Sequence, residues 1–344
     1  MAAVDERRAA VLEAIVRAYV RDGQPVGSKR IADEAGLGVS PTTIRADMGM
    51  LEDAGLIVQP HTSAGRVPTD AGYRFYVDQM ASAVSTSPQQ QAAVEHHLLD
   101  APDIEELLRR SSKVLSRLTR YAALVAAPPP DATRVRHVEL VRLGERHVMA
   151  VVIGHTGRVD KRTVELAERL DDMDVQRASH AVNGAVRDLP MSQAANVVAG
   201  LAEGCAPALR PLIDAVGSEI APEPDNSELF LGGTATIAGW GSAGDPAQLA
   251  RIYEALEEQV VALQLLRNAL ASGDPAVRIG TEMPWLELSA CSMVAAAYQA
   301  GEGATGSLGV LGPSRMDYPH TLAAVQTVAS SVERALAVLD EQRA

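Results

Sequence analysis

Ser40, Thr42, Thr43 and Arg45 place three hydroxyls and a guanidinium on the opening turns of one predicted helix. Hydroxyl and guanidinium groups donate to phosphates and to base edges, and an arginine can grip guanine O6 and N7 with two bonds at once. The chemistry on offer is recognition rather than bond-making, and Arg45 is the best single candidate for a bidentate guanine contact. Just upstream, Ser28, Lys29 and Arg30 open a shorter predicted helix, where free N–H groups and positive charge suit a phosphate. His61, Thr62, Ser63 and Arg66 lie on or beside a turn from which they could reach a nucleic-acid backbone or a minor groove.

Catalytic and metal-binding patterns are not apparent. His96-His97 have no partner at metal-ligand spacing and read as exposed histidines. Cys205 and Cys291 are far apart, and Cys291 sits in the apolar run LSACSMVAAAY, so a buried inert thiol is expected. The glycine-rich GEGATGSLGVLGP at 301–313 lacks the Lys-Ser/Thr ending of a phosphate-binding loop and reads as a hairpin. Glu257-Glu258 read as helix surface. No cofactor or metal is expected, and no enzyme.

The elements that must hold the donors are legible. Residues 5–22 carry an apolar stripe at helical spacing, Val11, Leu12, Ile15 and Ala18. Ser28 is expected to cap the second helix, and Gly36 to end it. Ser40 caps the third, with Pro41 at its first position. Ile44, Met48 and Leu51 turn inward, leaving Thr42, Thr43, Arg45 and Asp47 to point elsewhere. Leu56–Val58 and Arg66-Val67 read as a hairpin around His61–Gly65, and Thr69 caps a fourth helix bearing Tyr73, Tyr76 and Val77. Two short helices joined by a tight turn, followed by a hairpin, make a winged helix-turn-helix, whose second helix enters a DNA major groove.

Beyond it, residues 82–92 read as a polar linker and about 103–124 as a helix. The outer face of that helix carries Arg109, Arg110, Lys113, Arg117 and Arg120, either a solvated face or an auxiliary phosphate contact. His137–Leu143 and His147–Gly154 read as strands, and 171–220 as Ala-rich helices broken near Pro190 and Pro207. Leu229–Leu231 and Ala235–Ala238 read as short strands, and a long helix is expected from Asp245-Pro246 to about 271. Strands at 277–280, 288–298 and 307–311 precede a last helix from Thr321. Leu249, Ile252, Leu256, Leu263, Leu266 and Leu270, and then Leu322, Val325, Ala329, Val332, Leu336 and Leu339, repeat at 3-4 spacing. These are dimer seams or core stripes. The order fits a large α/β domain with a mostly helical insertion.

Charge complicates the DNA reading. The 344 residues carry a net charge of −13. Residues 1–80 hold nine Lys or Arg against eleven Asp or Glu, and the rest 22 against 33. DNA affinity must therefore come from a local face, and an acidic body calls for two reading units acting together. No run of about 18 apolar residues is found, so no membrane span is expected. MAAVDERRAAV is acidic where a secretion signal needs a basic start, so a cytoplasmic protein is expected.

PVGSKRIADEAGLGVSPTTIRADMGMLEDAGLIVQPHTSAGRVPTDAGYRFYVD (25–78), LTRYAALVAAP (118–128) and GSLGVLGPSRMDY (306–318) together resemble the heat-inducible transcription repressor HrcA family. The resemblance implies an α+β multidomain protein. It would have a winged-helix domain at 1–82, a linker at 83–102, a GAF-like domain at 103–164 and 272–344, and a mostly helical dimerisation domain inserted at 165–271. It also implies a homodimer that binds double-stranded DNA at an inverted-repeat operator upstream of chaperone genes, is released on heat stress, and is linked to a GroEL-type chaperonin. By the same resemblance Ser40, Thr42, Thr43 and Arg45 form the recognition face, and His61, Thr62, Ser63 and Arg66 the wing. The alternative is a ligand-responsive winged-helix regulator that senses a small molecule through the GAF-like domain.

Overall fold

The computed structural model describes residues 5–61, 64–80, 86–129, 134–155, 157–169, 171–221, 227–240, 246–301 and 304–341. The chain opens with α1 (Glu6–Asp22), whose first turn is capped by the Asp5 carboxylate accepting from the Arg8 N–H. Then come α2 (Ser28–Glu34), α3 (Pro41–Asp53), β1 (Ile57–Val58), β2 (Val67–Pro68) and α4 (Asp70–Met80). Leu12, Ile15, Ile31, Ile44, Met48 and Leu51 fill one core between the first three helices, as their spacing predicts. Two details differ from expectation. Gly27 occupies the cap position of α2 without a side-chain bond, and Ser28 is buried as the first helical residue. Asp47 faces inward, 4% exposed, where Arg7 donates Nε and Nη2 to its two carboxylate oxygens, each at 2.9 Å.

Residues 88–99, read as part of a linker, form α5 (Pro88–Leu99) with a Ser87–Gln90 capping box, and bury Val94 and Leu98. The next helix is shorter than predicted. It runs as α6 (Ile104–Thr119) and stops where Arg120 takes φ 61°, before β3 (Ala122–Ala126).

Between β3 and the next strand of its sheet lies a separate unit. It contains β4 (Val135–Arg142), β5 (His147–Gly154) and β6 (Val159–Glu165), an antiparallel sheet in that order. Helices α7 (Asp172–Val186), α8 (Met191–Gly204) and α9 (Arg210–Glu219) share a core with one face of it. Val138, Leu140, Val148, Ala150 and Val152 point into this core, which is distinct from the rest of the molecule's. This unit thus carries a three-stranded sheet as well as its helices. The expected division at 164/165 falls inside it, between a strand and the helices that strand packs with.

The chain then returns as β7 (Leu229–Gly232), a 3₁₀ turn at Thr234–Trp240 where a strand was expected, α10 (Pro246–Glu257) and α11 (Gln259–Leu270). The single long helix expected here is broken at Glu258. After β8 (Ala276–Ile279), β9 (Cys291–Gln299) and β10 (Thr305–Pro313) comes α12 (Tyr318–Glu341). The large sheet has the order β7-β3-β10-β9-β8, all neighbours antiparallel, and the glycine-rich segment is its β9–β10 hairpin.

Alternation divides the two faces of this sheet. Ala123, Val125, Val294, Tyr298 and Leu308 share a core with α6 and α12, while Ala122, Leu124, Met293, Ala295 and Leu311 share one with α10 and α11. Burial on both faces explains why β3 reads as an unbroken apolar run. Both 3-4 repeats are consumed here: Leu322, Val325, Ala329, Val332, Leu336 and Leu339 are all buried, as are Ile252, Leu256, Leu263 and Leu266. They are core stripes, not free seams. By length and composition α12 could cross a bilayer, yet 61% of its most apolar window is buried inside this fold.

Candidate nucleic-acid interface

The start of α3 is fixed locally. Ser40 Oγ accepts from the Thr43 N–H at 3.1 Å and lies 3.0 Å from Thr43 Oγ1, so these two hydroxyls hold the turn together. Thr42 and Arg45 stand exposed on the outer side while Ile44, Met48 and Leu51 lock the inner side. Among the described residues Arg45 has no ion-pair partner. Farther along the same face come Ala46 and Gly49. A Cβ on Gly49 would meet nothing within 4 Å, so no internal contact calls for a glycine there, although glycine costs a helix about 1 kcal/mol relative to alanine. Sequence reasoning passed over Gly49. The available signal was a glycine in mid-helix between core positions.

The phosphate trio on α2 is only partly assembled. Lys29 is exposed, Ser28 is buried, and Arg30 is engaged within the protein. Arg30 pairs with Asp22 and donates Nε to Glu34 at 3.0 Å, while Arg21 reaches the same Glu34 at 2.6 Å. Arg30 and Arg21 hold the Asp22 carboxyl below the usual carboxylate range, and Arg21 and Arg30 do the same for Glu34.

Arg66 sits between the turn and β2, beside the ladder and not at the hairpin's tip. Its backbone forms a two-bond bridge with Val26, 2.9 Å in each direction, and its guanidinium donates to Glu52 at 2.8 and 3.2 Å. The β1–β2 ladder has two residue pairs, Ile57 with Pro68 and Val58 with Val67. His61 is exposed at the tip and its carbonyl accepts from the Ala64 N–H at 2.8 Å. Thr62 and Ser63 lie outside the described residues.

Gly65 lets the hairpin touch the segment before α2, because a Cβ there would stand 2.5 Å from the Val26 carbonyl carbon and oxygen. Gly65→Ala is therefore expected to push the hairpin outward and to destabilise the chain by about 1–3 kcal/mol, the usual cost of overpacking. Urea denaturation followed by circular dichroism checks this, and an unchanged midpoint would mean the contact is not needed.

Elsewhere, no group of three metal-ligating side chains occurs among the described residues. His96 and His97 are exposed on α5. Cys291 is buried, and burial pushes its thiol up to about 12, which leaves almost no thiolate at neutral pH. The exposed α6 face is partly self-neutralised, with Arg109 and Arg110 paired to Glu105 and Glu106.

A capped helix with an exposed polar start, a hairpin beside it, and a larger α+β body behind make a layout suited to recognition by contact. Comparison with known proteins gives the family. The model described as HrcA protein C terminal domain matches residues 105–322. The heat-inducible transcription repressor HrcA of Nocardioides sp. is 42% identical over 339 residues, covering 98% of this chain and 99% of the relative. That of Rhodococcus jostii is 41% identical over 345 residues, with the same coverage of 98% and 99%. A crystal structure of a hypothetical protein shares the fold, with a TM-score of 0.68 at 22% identity, covering 98% of this chain and 99% of that one. The chain belongs to the HrcA family of heat-inducible transcription repressors.

Proposed function

We propose that this chain represses chaperonin and related chaperone genes by binding an inverted-repeat operator as a cytoplasmic homodimer, and lets go of it on heating. The observation that carries the reading is the start of α3. Thr42 and Arg45 stand free on a helix whose opposite face is locked into the core. In this reading residues 5–80 are a winged-helix unit with α3 in the major groove. Arg45 then reads a base, Lys29 meets a phosphate, and His61, with its neighbours Thr62 and Ser63, approaches the backbone or the minor groove. Ser40 and Thr43 set the turn that aims Arg45. Ala46 and Gly49 leave the helix face low enough for close approach to the groove wall.

The dimer is proposed to form through the insertion, with the five-stranded unit as the GAF-like domain. The outer face of the three-stranded sheet is apolar along its middle. Met149, Val151 and Ile153 run down β5, flanked in register by Val141 on β4 and Val159 on β6. Val141 is 39% exposed and Val159 47%. Pairing through the free edge of β4 is disfavoured, because Asn183 and Ser179 of α7 already accept from its Val138 and Leu140 N–H groups at 2.9 and 3.0 Å. The apolar strip makes face-to-face burial the proposed mode of pairing.

Heat release follows from marginal stability. Domains are held by about 5–15 kcal/mol, and a dimer's folded fraction depends on its concentration, so modest warming depletes the DNA-competent form. Resemblance to the family, not geometry, adds a GroEL-type chaperonin as the partner that restores it. Footprinting on the organism's own chaperonin promoter, with and without a brief heat step, tests the whole reading. Protection that is lost on warming is expected. Protection unchanged by heat refutes thermal control, and none at any temperature refutes operator binding.

A further inference from the structure

The DNA-contacting unit shares an apolar core with the body, and Arg315 of the body also stands 6.0 Å over the Tyr19 ring; beside these contacts runs a polar seam that the recognition surface does not use. The seam starts at the foot of the hairpin, because Asp70 follows β2 by two residues. The Asp70 carboxylate accepts from the Thr281 N–H at 2.9 Å. Gly280 makes that approach possible twice over: its φ is +51°, and a Cβ there would overlap the same carboxylate. One turn along α4, Arg74 donates Nε to Glu282 Oε1 at 2.8 Å and Nη2 to the Val277 carbonyl at 2.6 Å, and Nη2 also meets Glu282 Oε2. Glu282 is itself held in its 3₁₀ turn, since its Oε2 accepts from the Ile279 N–H at 3.0 Å.

Adhesion and angle have different sources here. Tyr73 of α4 packs on Tyr318 with ring centroids 5.6 Å apart, but apolar contact is non-directional and fixes no orientation by itself. An open cleft of about 350 Å³, lined in part by Arg74, Val77, Val277 and Leu322, lies alongside, so the seam is not closed by packing. The forked Arg74–Glu282 pair is directional, as bidentate guanidinium–carboxylate contacts are.

We infer that Asp70, Arg74 and Glu282 are positioning residues that set the angle of the DNA-contacting unit on the body, and so the relative placement of the two units in a dimer. The inference rests on the proposed dimeric reading of an inverted repeat. In such a complex the second arm is engaged intramolecularly, and its effective concentration collapses if the two units cannot reach both arms at once. The seam then governs binding to two arms without touching DNA.

The test uses the full-length chain with two duplexes: the footprinted operator, and the same duplex with one arm scrambled. Arg74→Ala and Glu282→Gln are each expected to weaken two-arm binding by about tenfold or more, while one-arm binding stays within about twofold. Asp70→Asn, which keeps an acceptor for the Thr281 N–H, is expected to retain two-arm binding, and Asp70→Ala to lose it. Equal loss on both duplexes for Glu282→Gln, a body residue outside the reading unit's core, overturns the inference, and so does no loss on either. A native chain that binds both duplexes equally refutes the dimeric reading itself, and the positioning role with it.

Discussion

Arg45→Ala is expected to weaken binding to the operator by about 1–3 kcal/mol and to relax base preference at the position it contacts. The size follows from the type of contact. A guanidinium that grips guanine through two bonds discriminates by about that much, whereas a single phosphate contact carries no sequence information. The substitution should leave folding alone, because Arg45 is exposed, has no ion-pair partner among the described residues, and lies on the face opposite Ile44, Met48 and Leu51. Alanine and arginine also have similar helix propensities. Lys29→Ala supplies the contrast: it should lower affinity on all sequences alike and reduce the salt slope by about one. A mobility-shift titration on operator and unrelated duplexes, at two salt concentrations, separates the two. If Arg45→Ala binds as the native chain does, the base-reading role is wrong. If it loses affinity evenly on every duplex, Arg45 is a phosphate contact.

The helix bearing Arg45 was legible because all its signals are local. A capping serine, a proline at the first position and three core residues at helical spacing lie within fourteen positions. The charged residues around it were not legible in the same way. Asp47 falls at an inward helical position, but only Arg7, 40 residues earlier, makes a buried carboxylate tolerable there. Arg30 and Arg66 read as free cations until the fold brings Asp22 and Glu52 beside them.

The insertion showed two of its strands in the sequence but hid the third, for a related reason. β6, VDKRTVE, turns Asp160 and Arg162 toward the side of Val164, so it lacks the apolar alternation that marks a half-buried strand. α5 buries only Val94 and Leu98, too little to lift a glutamine-rich segment out of a linker reading. The 3-4 repeats left two readings open. A helix sealed under a sheet and a helix facing a partner chain have the same spacing, and only the presence of the sheet decides between them.

That distinction sets the second large effect. Met149→Asp is expected to convert the dimer to monomers and to cost operator affinity about a hundredfold or more, the avidity of a second arm. Met149 lies on the middle strand of the outer sheet face, between Val141 and Thr163 in register, and the core of its unit lies on the opposite face. An aspartate there remains hydrated in a monomer, at a cost within the roughly 1 kcal/mol span of strand preferences. Across a two-fold interface it would bury two unpaired carboxylates, one from each chain, and groups of that kind cost several kcal/mol apiece. Leu336→Asp on α12 is the opposing control, because Leu336 is 3% exposed inside its own fold and the charge should unfold the chain, not separate chains. Sedimentation at micromolar concentration, paired with circular dichroism, distinguishes the two. A Met149→Asp chain that folds and stays dimeric moves the dimer surface elsewhere on the molecule. A folded monomer that still prefers two arms to one breaks the link between pairing and operator reading.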